Sequence, residues 1–411
     1  MRLSDPPHEA WTVKPEPPNG DPALARIAYV DHASDIGGAE KSMTDVIVRL
    51  DRSRYEPRLF CATDAKWLEG SALEGVAVER VFSPGGVLDR RRDDLGPGLV
   101  GNAQTVGQAA APIARLYRRL RRHRPDLVHT NTLKTHVLAG AAAHLARLRL
   151  LWHLRDILSE GHALGLLLRA ARRFQPKVIA ISEAVRRSLQ GGDVDVVVVH
   201  NGTDLSAFRP APNREALRAK LGLRPEHIAI TIVGRLTPWK GHRELLRAFA
   251  EVVRAEPSAR LLVVGEVAFW EDSYETELRN LAAELGVARL VQWLGFRGDV
   301  PDVLGASDIF ALPSIDEPFG RAVVEAMAVE LPVVGTRSGG VPEIVVEGET
   351  GFLVRPADDA DLAAALLRLV READLRRSMG MAGRARATDL FDVDRTAQRV
   401  QAIYAEMLDR P

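Results

Sequence analysis

The sequence predicts an α/β fold in which two doubly wound parallel sheets face each other across a cleft. Three observations carry this. At 411 residues the chain is longer than one ordinary hydrophobic core organises, so two domains are expected. Short apolar runs alternate with longer amphipathic stretches, the pattern of strands joined by helices that cover both faces of a parallel sheet. That alternation runs once as far as residue 201, pauses, and starts again.

In chain order, RIAYVDH (26–32) reads as a buried strand, followed by a glycine turn and the helical stretch EKSMTDVIVRL. PRLFCAT, VAVERVF, DLVHTN, LRLLWHL, KVIAIS and VDVVVVHN are the further strands of the first set, with helical patterns such as VGQAAAPIARLYRRLRRHR and KTHVLAGAAAHLARL between them. The Pro-containing stretch 201–213 is the linker. AITIVGRL, RLLVVGE, LVQWLG, DIFALP, LPVVGT and GFLV then form the second set, and DVDRTAQRVQAIYAEMLDR closes the chain as an amphipathic helix. Residues 1–23, rich in Pro, Glu and Asp, predict a disordered tail, and 84–98 (PGGVLDRRRDDLGPG) a mobile loop. The domains are expected at 24–204 and 205–391.

Lys plus Arg equals Asp plus Glu at 55 each, so the whole molecule offers no bulk attraction to nucleic acid. The zero hides an asymmetry: residues 1–205 hold 29 basic and 24 acidic side chains, a net of +5, which the remainder balances at −5. Cys61 is the only cysteine, so no intrachain disulfide forms and an oxidising compartment is not indicated. There is no signal-like start and no apolar run near the ~20 residues that span a bilayer. A cytoplasmic location is expected.

Four segments carry chemistry. EPFGRAVVEAM follows the strand DIFALPS, so Phe319 and Gly320 sit where a loop becomes a helix whose amide N–H groups favour phosphate or polar oxygens. Glu317 precedes that helix and Glu325 falls in its second turn, so both can reach one ligand. In VGRLTPWKG, Arg235 follows Gly234 at a strand end and Lys240 comes five residues later, two cations suited to a diphosphate. DIGGAEKS places Gly37 and Gly38 at another close-approach turn, matching neither GxGxxG nor GxxxxGK[ST]. WHLRD (152–156) puts His153 at a strand terminus, with Arg155 and Asp156 beside it to orient a sugar or an acceptor. Each segment alone has a plain structural explanation. Their joint order is what is specific.

Together with PDLVHTN, VVHNGTDLSAF, LVVGE, VQWLGF and PVVGTRSGGVPEIVVEGETGFLV, these segments resemble family 4 glycosyltransferases of the GT-B fold (glycosyl transferases group 1) over roughly residues 25–408. The resemblance implies two Rossmann-like domains, the first for the acceptor and rejoined by the C-terminal helix 392–411, the second for a nucleotide-sugar donor. It implies transfer with retention and with no cofactor or metal ion. Arg235 and Lys240 would hold the diphosphate, Glu317 would lie by the donor sugar, and Glu325 would hold the ribose. Backbone around Phe319, Gly320 and Arg321 would contact sugar or phosphate, Gly37-Gly38 would close from the other domain, and His153 would sit against the transferred sugar. Three departures stand out: Pro318 where the family commonly has Gly, the long turn VGEVAFWEDSY, and a looser His motif.

The expected reaction is front-face substitution, in which the leaving diphosphate takes the acceptor's proton and the enzyme supplies position and charge. A UDP-sugar is expected before a GDP-sugar, with a sugar, lipid-linked or small-molecule hydroxyl as acceptor. A GT-B-like epimerase or phosphorylase and a non-catalytic nucleotide-sugar-binding scaffold are the alternatives; an NAD oxidoreductase is disfavoured by the absent GxGxxG. RLYRRLRRHR (115–124) carries six arginines. They read either as a weak peripheral contact with an anionic membrane or as the solvated face of a helix that buries Leu116 and Leu120.

Overall fold

Runs of Val, Ile, Leu and Ala too short for helices and too apolar for solvent become strands buried on both faces. In the computed structural model, which describes residues 24–69, 72–83, 85, 103–158, 161–190, 194–267 and 272–409, they form two all-parallel sheets. The first contains β1 (Ala25–Val30), β2 (Tyr55–Ala62), β3 (Ala77–Phe82), β4 (Leu127–Thr130), β5 (Arg149–Leu154), β6 (Lys177–Ala180) and β7 (Val196–Val198), in the order β3-β2-β1-β4-β5-β6-β7. The second contains β8 (Ile228–Val233), β9 (Ala259–Val264), β10 (Val291–Gly295), β11 (Ile309–Leu312), β12 (Val333–Thr336) and β13 (Gly351–Val354), in the order β10-β9-β8-β11-β12-β13. Every predicted strand segment overlaps one of these thirteen. The tail 1–23, most of 84–98 and residues 268–271 of the long turn lie outside the described residues.

Helices cover both faces of each sheet, as parallel connections require. The last helix, Val393–Asp409, leaves the second sheet and packs on the first. Its Val400, Ile403 and Tyr404 share a core with Ile27, Tyr29, Leu127 and Leu151. Chain crossings lie side by side: Thr203 N donates to Phe391 O at 2.9 Å and Val393 N to Thr203 O at 3.2 Å. A Cβ on Gly202 would stand 2.3 Å from Val393 Cα, so the two crossings touch only because residue 202 has no side chain.

The helix Ala103–His123 buries Leu116 and Leu120 completely. Arg115 donates to Val81 O at 2.9 Å and Arg119 lies 3.7 Å from Glu79, while Arg118, Arg121, Arg122 and Arg124 are exposed. Among the described residues no helix is long and apolar enough to cross a membrane.

Candidate active site

Each sheet reverses its strand order beside its first strand: β1 lies between β2 and β4, and β8 between β9 and β11. Loops leaving neighbouring strands at such a point diverge and open a crevice at the carboxyl ends. Most of the sequence-predicted donor residues stand on loops after β1, β8 and β11, so the two crevices face each other with the site between them.

On the second sheet, β8 ends at Val233 and Gly234 follows. A Cβ on Gly265 would stand 1.9 Å from Gly234 O, so these two strand ends close up through a glycine at φ +134°. Arg235 is exposed and has no ion-pair partner among the described residues. Pro238–Lys240 makes a single tight turn, ended by Gly241 at φ +79°, where a Cβ would meet Pro313 O at 2.2 Å. That contact delivers Lys240 to the loop after β11, and its Nζ lies 2.6 Å from Glu317 Oε2.

The loop that presents Glu317 is held from behind by Ser338-Gly339-Gly340. Gly340 N donates to Glu317 O at 2.7 Å, and Ser338 Oγ donates to Asp316 Oδ1 at 2.7 Å while accepting from Asp316 N at 3.0 Å. Asp316 takes φ +53°, a conformation that short polar side chains tolerate best after glycine. Pro318 O accepts from Ser182 Oγ of the first domain at 2.6 Å. Proline keeps that carbonyl acceptor, which any residue at 318 would offer. Phe319 is buried with its ring centroid 5.8 Å from His200 and 5.8 Å from Phe391.

Gly320, at φ +108°, caps the helix Arg321–Ala328, whose first amides carry the positive end of its dipole. The Arg321 side chain reaches across to the first domain, donating to Ser42 Oγ at 2.7 Å and pairing with Asp45 at 3.0 Å. Glu325 is buried, with Lys41 Nζ of the first domain 3.9 Å away. Glu343 performs the reciprocal task. Its two oxygens accept from Glu183 N at 2.8 Å and Ala184 N at 2.9 Å, and His200 Nε2 lies at 2.9 Å. Burial raises the Glu343 pKa, yet the bonds from His200 and the two amides outweigh it and hold the carboxyl below its ordinary value.

From the first sheet, Gly37 N donates to Glu40 Oε2 at 2.7 Å. A Cβ on Gly37 would stand 2.9 Å from that oxygen and 3.7 Å from Arg235 Nη2, so the glycine turn and the cationic loop meet across the cleft. Around Gly38 there is open space. Burial, then the neighbouring Asp31, pushes the Glu40 carboxyl up to about 7 against the pull of the Gly37 amide and Arg155.

His153, next to last in β5, is fully buried, with Nδ1 3.2 Å from His129 Nε2 and 3.3 Å from Arg155 Nη2. Burial and the Arg155 charge hold it neutral, its pKa far below the usual imidazole range. Its Nε2 has no partner among the described residues. Arg155 turns inward rather than toward solvent, donating to Asn131 Oδ1 at 2.6 Å and Asn201 Oδ1 at 2.9 Å. Burial lowers its pKa to about 10. Asp156 follows it half-buried. Asn131 in turn donates to Asp31 Oδ2 at 2.7 Å, and Ser42 Oγ to Asn201 Oδ1 at 3.1 Å, so a continuous polar network joins His153 to Arg321.

The sequence reading missed Asp31, Glu40, Asn131, Asn201, Ser42, Asp45 and Glu343. A signal for some was present. Asp31, Asn131 and Arg155 are each the first residue past an apolar strand, at β1, β4 and β5, and each is buried. A polar residue there either caps the crevice or faces its ligand. Among the described residues no group of three His, Cys, Asp or Glu side chains is placed to hold a metal ion.

Twin all-parallel α/β sheets whose switch-point crevices face each other define the GT-B class of fold. Residues 36–207 match the family described as Glycosyltransferase Family 4, and 213–386 the family described as Glycosyl transferases group 1. A D-inositol 3-phosphate glycosyltransferase of Actinosynnema mirum is 33% identical over 74% of this chain and 78% of its own length. A protein of the same description from Corynebacterium jeikeium is 36% identical over 56% of this chain, and there the match spans 57% of the relative. Anabaena HepE, solved with UDP-glucose, superposes with a TM-score of 0.80 at 29% identity, covering 93% of this chain and 99% of that one. The chain belongs to the group 1, family 4 glycosyltransferases and has their GT-B fold.

Proposed function

We propose that the protein transfers a glycosyl group from a UDP-sugar to a hydroxyl acceptor with retention of anomeric configuration and without a metal ion. The observation that carries this is the convergence of Arg235, Lys240 and Glu317 on one crevice, facing Gly37-Gly38. In this reading Arg235 and Lys240 neutralise the diphosphate as its bond to the sugar breaks, and the amides at Gly320-Arg321 add the helix dipole. Glu317 holds Lys240 on one side and the donor sugar on the other. Glu325 takes the ribose hydroxyls, and the His153 Nε2–H donates to a hydroxyl of the transferred sugar.

Bond breaking runs ahead of attack. The acceptor oxygen approaches the face the diphosphate is leaving, bonds to the anomeric carbon, and passes its proton to the departing phosphate oxygen. No protein carboxylate is then needed as a nucleophile, in contrast to retaining glycosidases. The acceptor is a sugar, a lipid-linked glycan or a small molecule, and the exposed Arg118, Arg121, Arg122 and Arg124 suit weak contact with an anionic cytoplasmic membrane face.

A thermal-shift screen over UDP- and GDP-sugars tests the donor assignment. A donor at 100 times its dissociation constant stabilises by about 2.7 kcal/mol, so UDP-sugars should raise the melting temperature and GDP-sugars should not. The reverse order would transfer the proposal to guanine nucleotides, and no shift with either would overturn it. Anomeric proton couplings in the isolated product decide retention.

A further inference from the structure

The mechanism uses His153 but not the buried groups behind it. Tyr29, Tyr404, His129 and His153 form a hydrogen-bonded row with essentially no exposure to solvent. Tyr29 Oη lies 2.7 Å from Tyr404 Oη, Tyr404 Oη 2.5 Å from His129 Nδ1, and His129 Nε2 3.2 Å from His153 Nδ1. Tyr29 and His129 are register partners on β1 and β4, His153 lies one step further along the same face of β5, and Tyr404 comes from the last helix.

Such a row can carry its protons in either direction, because hydroxyls and neutral imidazoles both donate and accept. Arg155 removes the choice. A guanidinium only donates, and its Nη2 lies 3.3 Å from His153 Nδ1, so that nitrogen must accept. His129 Nε2 must then carry its hydrogen toward His153, His129 Nδ1 must accept from Tyr404, and Tyr404 must accept from Tyr29. The row ends in a hydrogen on His153 Nε2, the atom with no protein partner. A buried N–H left without an acceptor is costly, and a ligand hydroxyl in the crevice would relieve that cost.

We propose that His129 and Arg155 are positioning residues that fix His153 as the Nε2–H tautomer, and that Tyr404 brings the C-terminal helix into the donor site by orienting His129. This rests on the reading of His153 as a contact of the transferred sugar. His153 is then a fixed neutral donor of one hydrogen bond and not a general acid, and its direction is set from the C-terminal helix packed on the same face of the first sheet.

The test compares His129→Leu with His129→Gln, whose side-chain amide still donates. UDP release from UDP-glucose, with water as acceptor, should fall about tenfold in His129→Leu and stay within about threefold of wild type in His129→Gln, while UDP affinity by calorimetry is unchanged in both. Equal losses in the two variants, or equal retention, would overturn the proposal. Nitrogen-15 spectra of the free wild-type protein, with His153 assigned by its loss in His153→Gln, should show the Nε2–H tautomer; an Nδ1–H signal overturns the proposal even if His129→Leu fails to fold. If the wild type neither binds UDP nor cleaves UDP-glucose, the donor reading fails, and the spectrum still decides the tautomer.

Discussion

Lys240 and Glu317 lie 77 residues apart in sequence and meet at 2.6 Å, with both side chains mostly shielded from water. This is not a surface ion pair of negligible worth, because removing one partner leaves the other poorly solvated and without its counter-charge. Lys240→Ala should lower transfer at least ~100-fold, the scale of losing one preorganised charge contact. Glu317→Gln should lower it less, since an amide still accepts from Lys240. Steady-state turnover with UDP-glucose measures both, and near-normal turnover of Lys240→Ala would count against the assignment.

Arg321, first residue of the helix after Gly320, grips the other domain by Ser42 and Asp45. Arg321→Ala should leave each sheet intact but loosen closure. The expected outcome is a larger radius of gyration in small-angle scattering without donor, and a KM for the donor raised about tenfold. Asp45→Asn should reproduce part of both changes. Scattering curves that coincide with wild type would show that other contacts hold the domains together.

Gly339 and Gly348 both have positive φ, +61° and +75°, but their surroundings differ. A Cβ at 339 would stand 2.3 Å from Glu317 O, whereas nothing lies within 4 Å at 348. Gly348→Ala should cost about 1 kcal/mol from backbone strain alone. Gly339→Ala should cost more, and it should also displace the Glu317 loop and lower turnover at least tenfold. Paired denaturation and activity measurements would separate the two effects.

Glu40 is buried, and its carboxyl titrates at about 7 in the folded chain against about 4.5 when unfolded. The folded state therefore holds this proton longer, and its stability falls as pH rises from about 4.5 through 7, by on the order of 3 kcal/mol. Glu40→Gln keeps an oxygen to accept from Gly37 N and removes the titration. Its melting temperature should match wild type near pH 4.5 and exceed it at pH 8. A constant difference across that range would place the burden on another group, Asp31 first.

All strands and the principal loops could be read from the sequence because each depends on local pattern: apolar runs such as KVIA and IFAL, and glycine turns such as Gly37-Gly38 and Gly320. What could not be read is how those loops combine. Nothing near Arg321 in sequence says that its guanidinium reaches Asp45, or that Glu343 supplies the cap for a helix beginning at Glu183. Arg155 shows the limit well. Its place after a strand marked it for a ligand, but Asn131 and Asn201, from two other strand ends, turn it inward as the hub of a buried network. Charge and spacing identify who is present at a crevice, and only packing decides who faces it.

The last helix completes the core of the first sheet, with Val400, Ile403 and Tyr404 seated against residues near the start of the described chain. During synthesis, then, the amino-terminal half cannot finish folding when it emerges. Its sheet must wait, with part of one face uncovered, until residues 393–409 have been made. The carboxyl-terminal half has its strands and helices in one continuous stretch and is free of that delay. In this protein the order of translation and the order of folding should run opposite to each other, with the second-made domain the first to be finished.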